Sequence, residues 1–308
     1  MIESQGTPFV PYFEAPTHRN VGGGKSFYVA QAARGGSDSN EGTDPQYPLL
    51  KIATAIALCT QRKHDYVWVQ DSYQDDTFPI SLATRNMHVI GLGEGHSRPS
   101  RAYLDSDTEA CFRFDTNGHG IELAGFEMGA TGGADPCILI EAAVMKGHIH
   151  HCGFGLMVAQ DGITYTFHGT EDFYLGMIDH CYFGRYLNRD GIRLCAIGRG
   201  AINNNHFEKM VGIGIHIHDT GGGHVGEGGP ILGNTFHLIQ DSALGAAITL
   251  DESTQGGFVV DQNHAMQDGA NPGNNPYLDK TNAALGSLAN AWGLNYSGIV
   301  ATYPSPLV

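Results

Sequence analysis

Charge is what this 308-residue chain has least of. Asp, Glu, Lys and Arg make up 16% of it, against a usual share of about 25%. That scarcity excludes a charged disordered tail and a coiled coil laced with ion pairs. Lys and Arg number only 17, against 32 Asp and Glu, and they are scattered. The net charge of −15 excludes a nucleic-acid-binding surface, which needs clustered cations to neutralise phosphates. No apolar run approaches the ~20 residues of a spanning helix, so no membrane insertion is expected. None of the six cysteines forms a C-x-x-C pair. The opening residues lack a basic stretch followed by an apolar one. Synthesis in a cytosol with reduced thiols is therefore the expectation.

Glycine is what the chain has in excess. There are 43, roughly twice the usual share of about 7%. Low charge with high glycine points to a turn-rich β protein, and the length suffices to bury a substantial core.

Three regions follow from the local composition. Residues 1–25 carry Pro8, Pro11 and Pro16, interleaved with Phe9, Tyr12 and Phe13, and end in Gly22-Gly23-Gly24. This is too rich in proline for a helix, and it reads as an extended arm whose three aromatics are candidate anchors to a partner. Residues 26–266 form the body. Residues 267–308 open with a polar Gly/Asn/Pro run, continue in a stretch read as helical from about Tyr277 to Ala291, and end in an extended tail, TYPSPLV.

The body repeats. Isoleucine followed five residues later by phenylalanine occurs at Ile121/Phe126, Ile149/Phe154, Ile178/Phe183, Ile202/Phe207 and Ile231/Phe236, with Val260/Ala265 as a weaker copy. Periods of 20–50 residues signal a solenoid or a similar array. The third residue after each isoleucine reads Ala124, Cys152, Cys181, Asn205, Asn234 and Asn263 down the column. Asparagines repeated at one corner suggest a ladder, because stacked carboxamides bond one another and the turn backbone. The absence of helical periodicity between copies favours a parallel β-helix over a leucine-rich or propeller repeat.

The residues before the repeat carry a resemblance. The run from Phe27 to Cys59 holds a strand, a Gly-Ser-Asp-Ser-Asn-x-Gly-Thr turn (Gly36 to Thr43) and a short amphipathic stretch from about Lys51 to Cys59. With HVIGLGEG at 88–95, it resembles the entry of the pectin-lyase-like superfamily of right-handed parallel β-helices. The resemblance implies that residues 51–59 form a helix capping the open N-terminal end, where unpaired edges would invite aggregation. It leaves function open, because that superfamily holds lyases, hydrolases, epimerases and phage spike and capsid-decorating proteins.

Candidate chemistry is sparse. Asp75-Asp76, Gly118-His119-Gly120 and Ile192-Arg193-Leu194 echo pieces of the polygalacturonase pattern, but its Asn-Thr-Asp element is missing. Lyases of the fold need a Lys or Arg base beside a neutralised carboxylate. Arg185 and Lys209 share a repeat offset, near Asp179 and Glu208, although a solvated polar face is much the simpler reading. His148, His150 and His151 cluster. His216 and His218 alternate on one strand face near Asp219, His224 and Glu227, which is ligand-like spacing. Surface or interface imidazoles are the simpler reading, and no metal is assigned. Cys152 and Cys181 share a column, where a disulfide is geometrically possible, and two reduced thiols are the expectation.

The sequence thus predicts an all-β, single-stranded right-handed parallel β-helix with an N-terminal capping helix and extended terminal arms. The function it predicts is a bacteriophage virion surface protein, made in the host cytoplasm. It would be a homotrimeric capsid decoration or tailspike-like protein attached through its arms to a larger assembly such as the major capsid protein or the tail. A host surface glycan is a further candidate contact. Neither cofactor nor catalytic residue is assigned. The alternative is a polysaccharide lyase or glycoside hydrolase of the same fold.

Overall fold

The computed structural model describes residues 23–70, 76–92, 102–107, 109–130, 135–155, 159–165, 173–195, 197–218, 228–239, 246–251, 256–267, 276–279, 290–297, 300–302 and 305–306. Short strands dominate. Among the described residues, helix is confined to Ile52–Leu58 and a 3₁₀ turn at Ala32–Arg34.

Three long sheets hold almost every strand. The first runs, in spatial order, Ser26–Val29, Tyr66–Val69, His88–Gly91, Glu122–Ala124, His148–His150, Met177–Asp179, Ala201–Asn203, Pro230–Leu232, Val259–Asp261 and Ala291–Trp292. The second takes Ala102–Ser106 through Phe126–Ala130, Gly153–Phe154, Tyr182–Phe183, His206–Glu208, Thr235–Ile239 and His264–Gln267 to Asn295–Ser297. The third takes Ile80–Leu82 through Phe112–Phe114, Ile138–Ile140, Ile163–Tyr165, Ile192–Leu194, Ile215–His218 and Ile248–Asp251 to Tyr277–Asp279. From His88 onward the chain visits the first, second and third sheets in rotation. Each strand pairs in parallel with the one a full circuit later.

Alternation of side chains across each strand decides the interior. In the first sheet Val67, Val89, Leu123, Ile149, Ile178, Ile202, Ile231 and Val260 are wholly buried and stand in register. In the second, Phe154, Phe183, Phe207 and Phe236 stack with centroids 4.7, 4.6 and 4.7 Å apart and rings within 11° of parallel. The spacing matches the rise between neighbouring strands, about 4.8 Å.

Four sequence readings need correction. The first copy of the repeat is displaced by two residues, for Leu123, not Ile121, pairs with Ile149, and Met128, not Phe126, pairs with Phe154. The helix read from Tyr277 is instead a strand at Tyr277–Asp279, with residues 280–289 outside the described part. Ala265 ends the phenylalanine stack, and the buried Tyr277 reaches that side of the interior, the single proton of its hydroxyl shared between the Tyr296 carbonyl at 2.9 Å and the Asn263 carbonyl at 3.1 Å. The ladders also do not stop at residue 266, because strands at 277–279, 291–292 and 295–297 extend all three sheets. Finally, the C-terminal stretch read as a free arm folds back. Val300–Thr302 pairs antiparallel with Asn295–Ser297, and Ser305–Pro306 joins the third sheet.

At the other end, Ile52, Ala55 and Ile56 bury one face of the short helix against Ser26–Val29, Tyr66–Val69 and Ile80–Leu82. Asp76 Oδ2 accepts from the Ile52 and Ala53 amides at 2.6 and 3.3 Å. These are helix donors with no intrahelical partner. Asp76, read as part of a hydrolase echo, therefore caps this helix; Asp75 lies outside the described residues.

Candidate functional site

The outward side of the first sheet gathers a dense polar cluster. Register sets His88, Glu122 and His148 in one row across neighbouring strands. Two residues further along each strand, His150 and Asp179 stand side by side. Glu122 accepts from His88 Nδ1 at 2.5 Å and from His150 Nε2 at 2.8 Å. Asp179 accepts from His148 Nε2 at 2.7 Å and His180 Nδ1 at 2.9 Å. His64 Nδ1 lies 3.3 Å from His88 Nε2, and His151 Nδ1 lies 2.8 Å from His150 Nδ1. Rings stack along the same strip: Tyr66 on His88 at 4.2 Å, His148 on His150 at 4.1 Å and His151 on His180 at 5.2 Å.

Proton accounting explains how six imidazoles pack together. Each ring can donate through one nitrogen and stay neutral: His64 to His88, His88 to Glu122, His151 to His150, His150 to Glu122, and His148 and His180 to Asp179. Only the two carboxylates need carry charge. Hydrogen bonds from His150 and then His88 hold the Glu122 carboxyl well below its ordinary range, against the opposing effect of burial. Burial acts to raise Asp179, but the bonds from His148 and His180 outweigh it and leave that carboxyl lowered.

His151 and His180 sit at the corner after the strand with φ of 53° and 52°. Asn204 and Gln262 adopt the same left-handed conformation one and three circuits later, and Gly233 does so between them. The corner's geometry thus fixes where the two exposed imidazoles project.

Next to that corner lies the asparagine column. Asn234 Oδ1 accepts from the Asn205 amide and carboxamide, both at 3.0 Å. Asn234 Nδ2 donates to the Ile202 carbonyl and to Asn263 Oδ1, both at 2.9 Å. Asn263 repeats the pattern onto Asn295, a fourth member that the sequence reading lacked. Cys152 and Cys181 occupy the same column earlier, both as reduced thiols with no disulfide between them. Burial pushes the Cys181 thiol well up.

The other candidates disperse. Arg185 lies over the Tyr186 ring, 4.6 Å from its centroid, while Glu208 is held by the Tyr182 hydroxyl and lies 4.0 Å from Lys209 Nζ. Asp179 belongs to the histidine strip instead of joining them. His119 accepts from the Met145 amide through Nδ1 at 3.0 Å. His216 and His218 do share the outward face of one strand, whereas Asp219, His224 and Glu227 lie outside the described residues, as do Phe9, Tyr12 and Phe13. Sequence spacing found His148, His150 and His151. It missed Glu122 and His88, which lie 28 and 62 positions before His150 and declare themselves only through the register of the sheet.

No known family's profile matches the chain, and no curated protein matches it. A solved structure, Geobacillus virus E2 ORF18, is similar over 88% of this chain at 9% identity and a TM-score of 0.45. The chain spans 61% of that protein's length. So remote a likeness assigns neither fold nor function. No described helix is long and apolar enough to cross a membrane.

Proposed function

We propose that this chain is a bacteriophage virion surface protein, a capsid-decorating or tailspike-like homotrimer of the pectin-lyase-like type. Its three-sheet circuit is read as a single right-handed β-helix, the hand that parallel crossovers adopt in about 98% of cases. Residues 1–25 attach it to a larger particle, with Phe9, Tyr12 and Phe13 as anchors.

The observation that carries the reading is the fate of the carboxylates away from the third-sheet histidine pair. Glu122 and Asp179 are each taken by two imidazoles, Asp161 by Arg189, Glu208 by Tyr182 and Asp76 by the helix amides. A β-helix hydrolase needs a pair of carboxyls presented to its sugar, one as acid and one as base. Here these groups serve to brace neighbouring circuits, as suits a rigid rod. Three copies of a weakly binding arm would raise attachment strength by orders of magnitude through effective concentration.

Light scattering tests the assembly: a trimer of the 33.0 kDa chain is expected, and a monomer at micromolar concentration overturns it. Deletion of residues 1–25 should leave the trimer folded and abolish its incorporation into particles. Normal incorporation without them refutes the arm. Release of unsaturated or reducing sugars from acidic polysaccharides would favour the enzyme instead.

A further inference from the structure

The third sheet carries a second histidine cluster built differently from the first. His216 and His218 alternate on the outward side of Ile215–His218, and Asp251 is the register partner of His218 on the next strand. One nitrogen from each ring and one Asp251 oxygen all lie within 4.8 Å of one another. Asp190 Oδ2 accepts from His216 Nδ1 at 2.9 Å. That bond fixes the tautomer and turns the Nε2 lone pair toward the gap.

Both atoms facing the gap, His216 Nε2 and His218 Nδ1, are buried without a hydrogen-bond partner. Asp251 Oδ2 stands 3.9 Å from the first and 3.7 Å from the second, beyond hydrogen-bond length. Ligands 2.0–2.2 Å from a tetrahedral zinc lie about 3.3–3.6 Å from one another. The two Asp251 contacts are therefore within a few tenths of an ångström of that spacing, and the two nitrogens, within 4.8 Å of each other, reach it by small side-chain rotations. The contrast with the first sheet sharpens this. Glu122, His148 and His150 also lie within reach of a common ion, but their nitrogens are already spent on Glu122 and Asp179. Only the third-sheet set leaves imidazole lone pairs buried and unmet, which costs free energy unless something meets them.

We infer that His216, His218 and Asp251 form a binding site for a divalent transition metal of the zinc class, with Asp190 as the residue that positions His216. Three protein ligands leave a fourth position for water, the arrangement of an open site. Arg193 stands beside His216 on the neighbouring strand and opposes a cation. The carboxylates of Asp190 and Asp251 outnumber it, and they disfavour an anion in the same place.

Full-length protein, stripped with chelator and dialysed, should bind one Zn²⁺ per chain by calorimetry and give the visible absorption of tetrahedral Co²⁺. His218→Ala and Asp251→Asn should lose stoichiometric binding, with His216→Gln as a further variant if either fails to fold by circular dichroism. Asp190→Asn should weaken Zn²⁺ by about 10–100-fold while the Co²⁺ spectrum persists. His150→Ala should bind as the wild type does. Absence of binding by the folded wild type, unchanged binding by His218→Ala, or loss of binding in His150→Ala would each overturn the site. Unchanged affinity in Asp190→Asn would overturn the positioning role.

Discussion

Replacing Asn234 by Leu tests the asparagine column where it is most constrained. The side chain is fully buried and serves four partners. Two of them keep another bond after the change: Asn205 Nδ2 still reaches the Ile178 carbonyl, and Asn263 Oδ1 still accepts the amide of residue 234. The other two, the Asn205 amide and the Ile202 carbonyl, lose the bonds that Asn234 supplies. Each orphaned buried group costs about 1–3 kcal/mol, so the two together cost about 2–6 kcal/mol. Leu is close to Asn in volume, and burying it returns about 1.5–3 kcal/mol. The expected net loss is about 0.5–3 kcal/mol. Urea unfolding followed by circular dichroism measures it, and the fluorescence of Trp68 and Trp292 reports on the early and late circuits separately. A midpoint unchanged within error in all three signals would refute the column as a source of stability. So would an equal loss on replacing an exposed corner residue such as Gln262.

Further expectations follow from the same packing. Phe207→Ala, in the middle of the ring stack, should cost about 3–5 kcal/mol by the cavity it leaves, and a loss under 1 kcal/mol in urea unfolding would speak against a tight stack. Gly191→Ala should cost about 1–3 kcal/mol, because its Cβ would stand 2.7 Å from both the Phe207 ring and the Gly214 carbonyl; a thermal midpoint at or above wild type would contradict that contact. Glu122 and Asp179 are lowered in the fold, so their contribution is complete above the unfolded carboxylate values of about 4 and fades as pH falls below them. The melting temperature should drop through that window, and Glu122→Gln should flatten the drop; an unchanged profile would show that the strip does not couple to folding. Dithiothreitol should leave the melting temperature unchanged, since none of the six cysteines is in a disulfide, and a fall would reveal a bond between Cys152 and Cys181.

Much of the interior is legible from spacing. An inward Ile or Phe must recur once per circuit, so the Ile149, Ile178, Ile202 and Ile231 series fixes its own register. The reading slipped at Ile121, because Ile121/Phe126 and Leu123/Met128 offer the same five-residue spacing two positions apart. Only hydrogen bonding between strands chooses Leu123. Periodicity likewise misled at Tyr277, where a polar-flanked stretch suggested helix. The edge left by Ile248–Asp251 recruits it as a strand, and the short Ala265 side chain leaves room for its ring.

The polar surface was far less legible. Nothing about Glu122 in its own neighbourhood marks it as the acceptor for His88 and His150. Circuits differ in length because loops differ, so outward residues carry no period that spacing could reveal. Sequence by itself determined the composition class, the turn-rich β character, the buried repeat and the asparagine column, because each depends on residue type recurring at one position. Tertiary structure decided which polar residues meet, how the last circuits close, and that one histidine cluster is satisfied while the other faces a gap. Those outcomes rest on distances between circuits of unequal length, which no local stretch of the chain encodes.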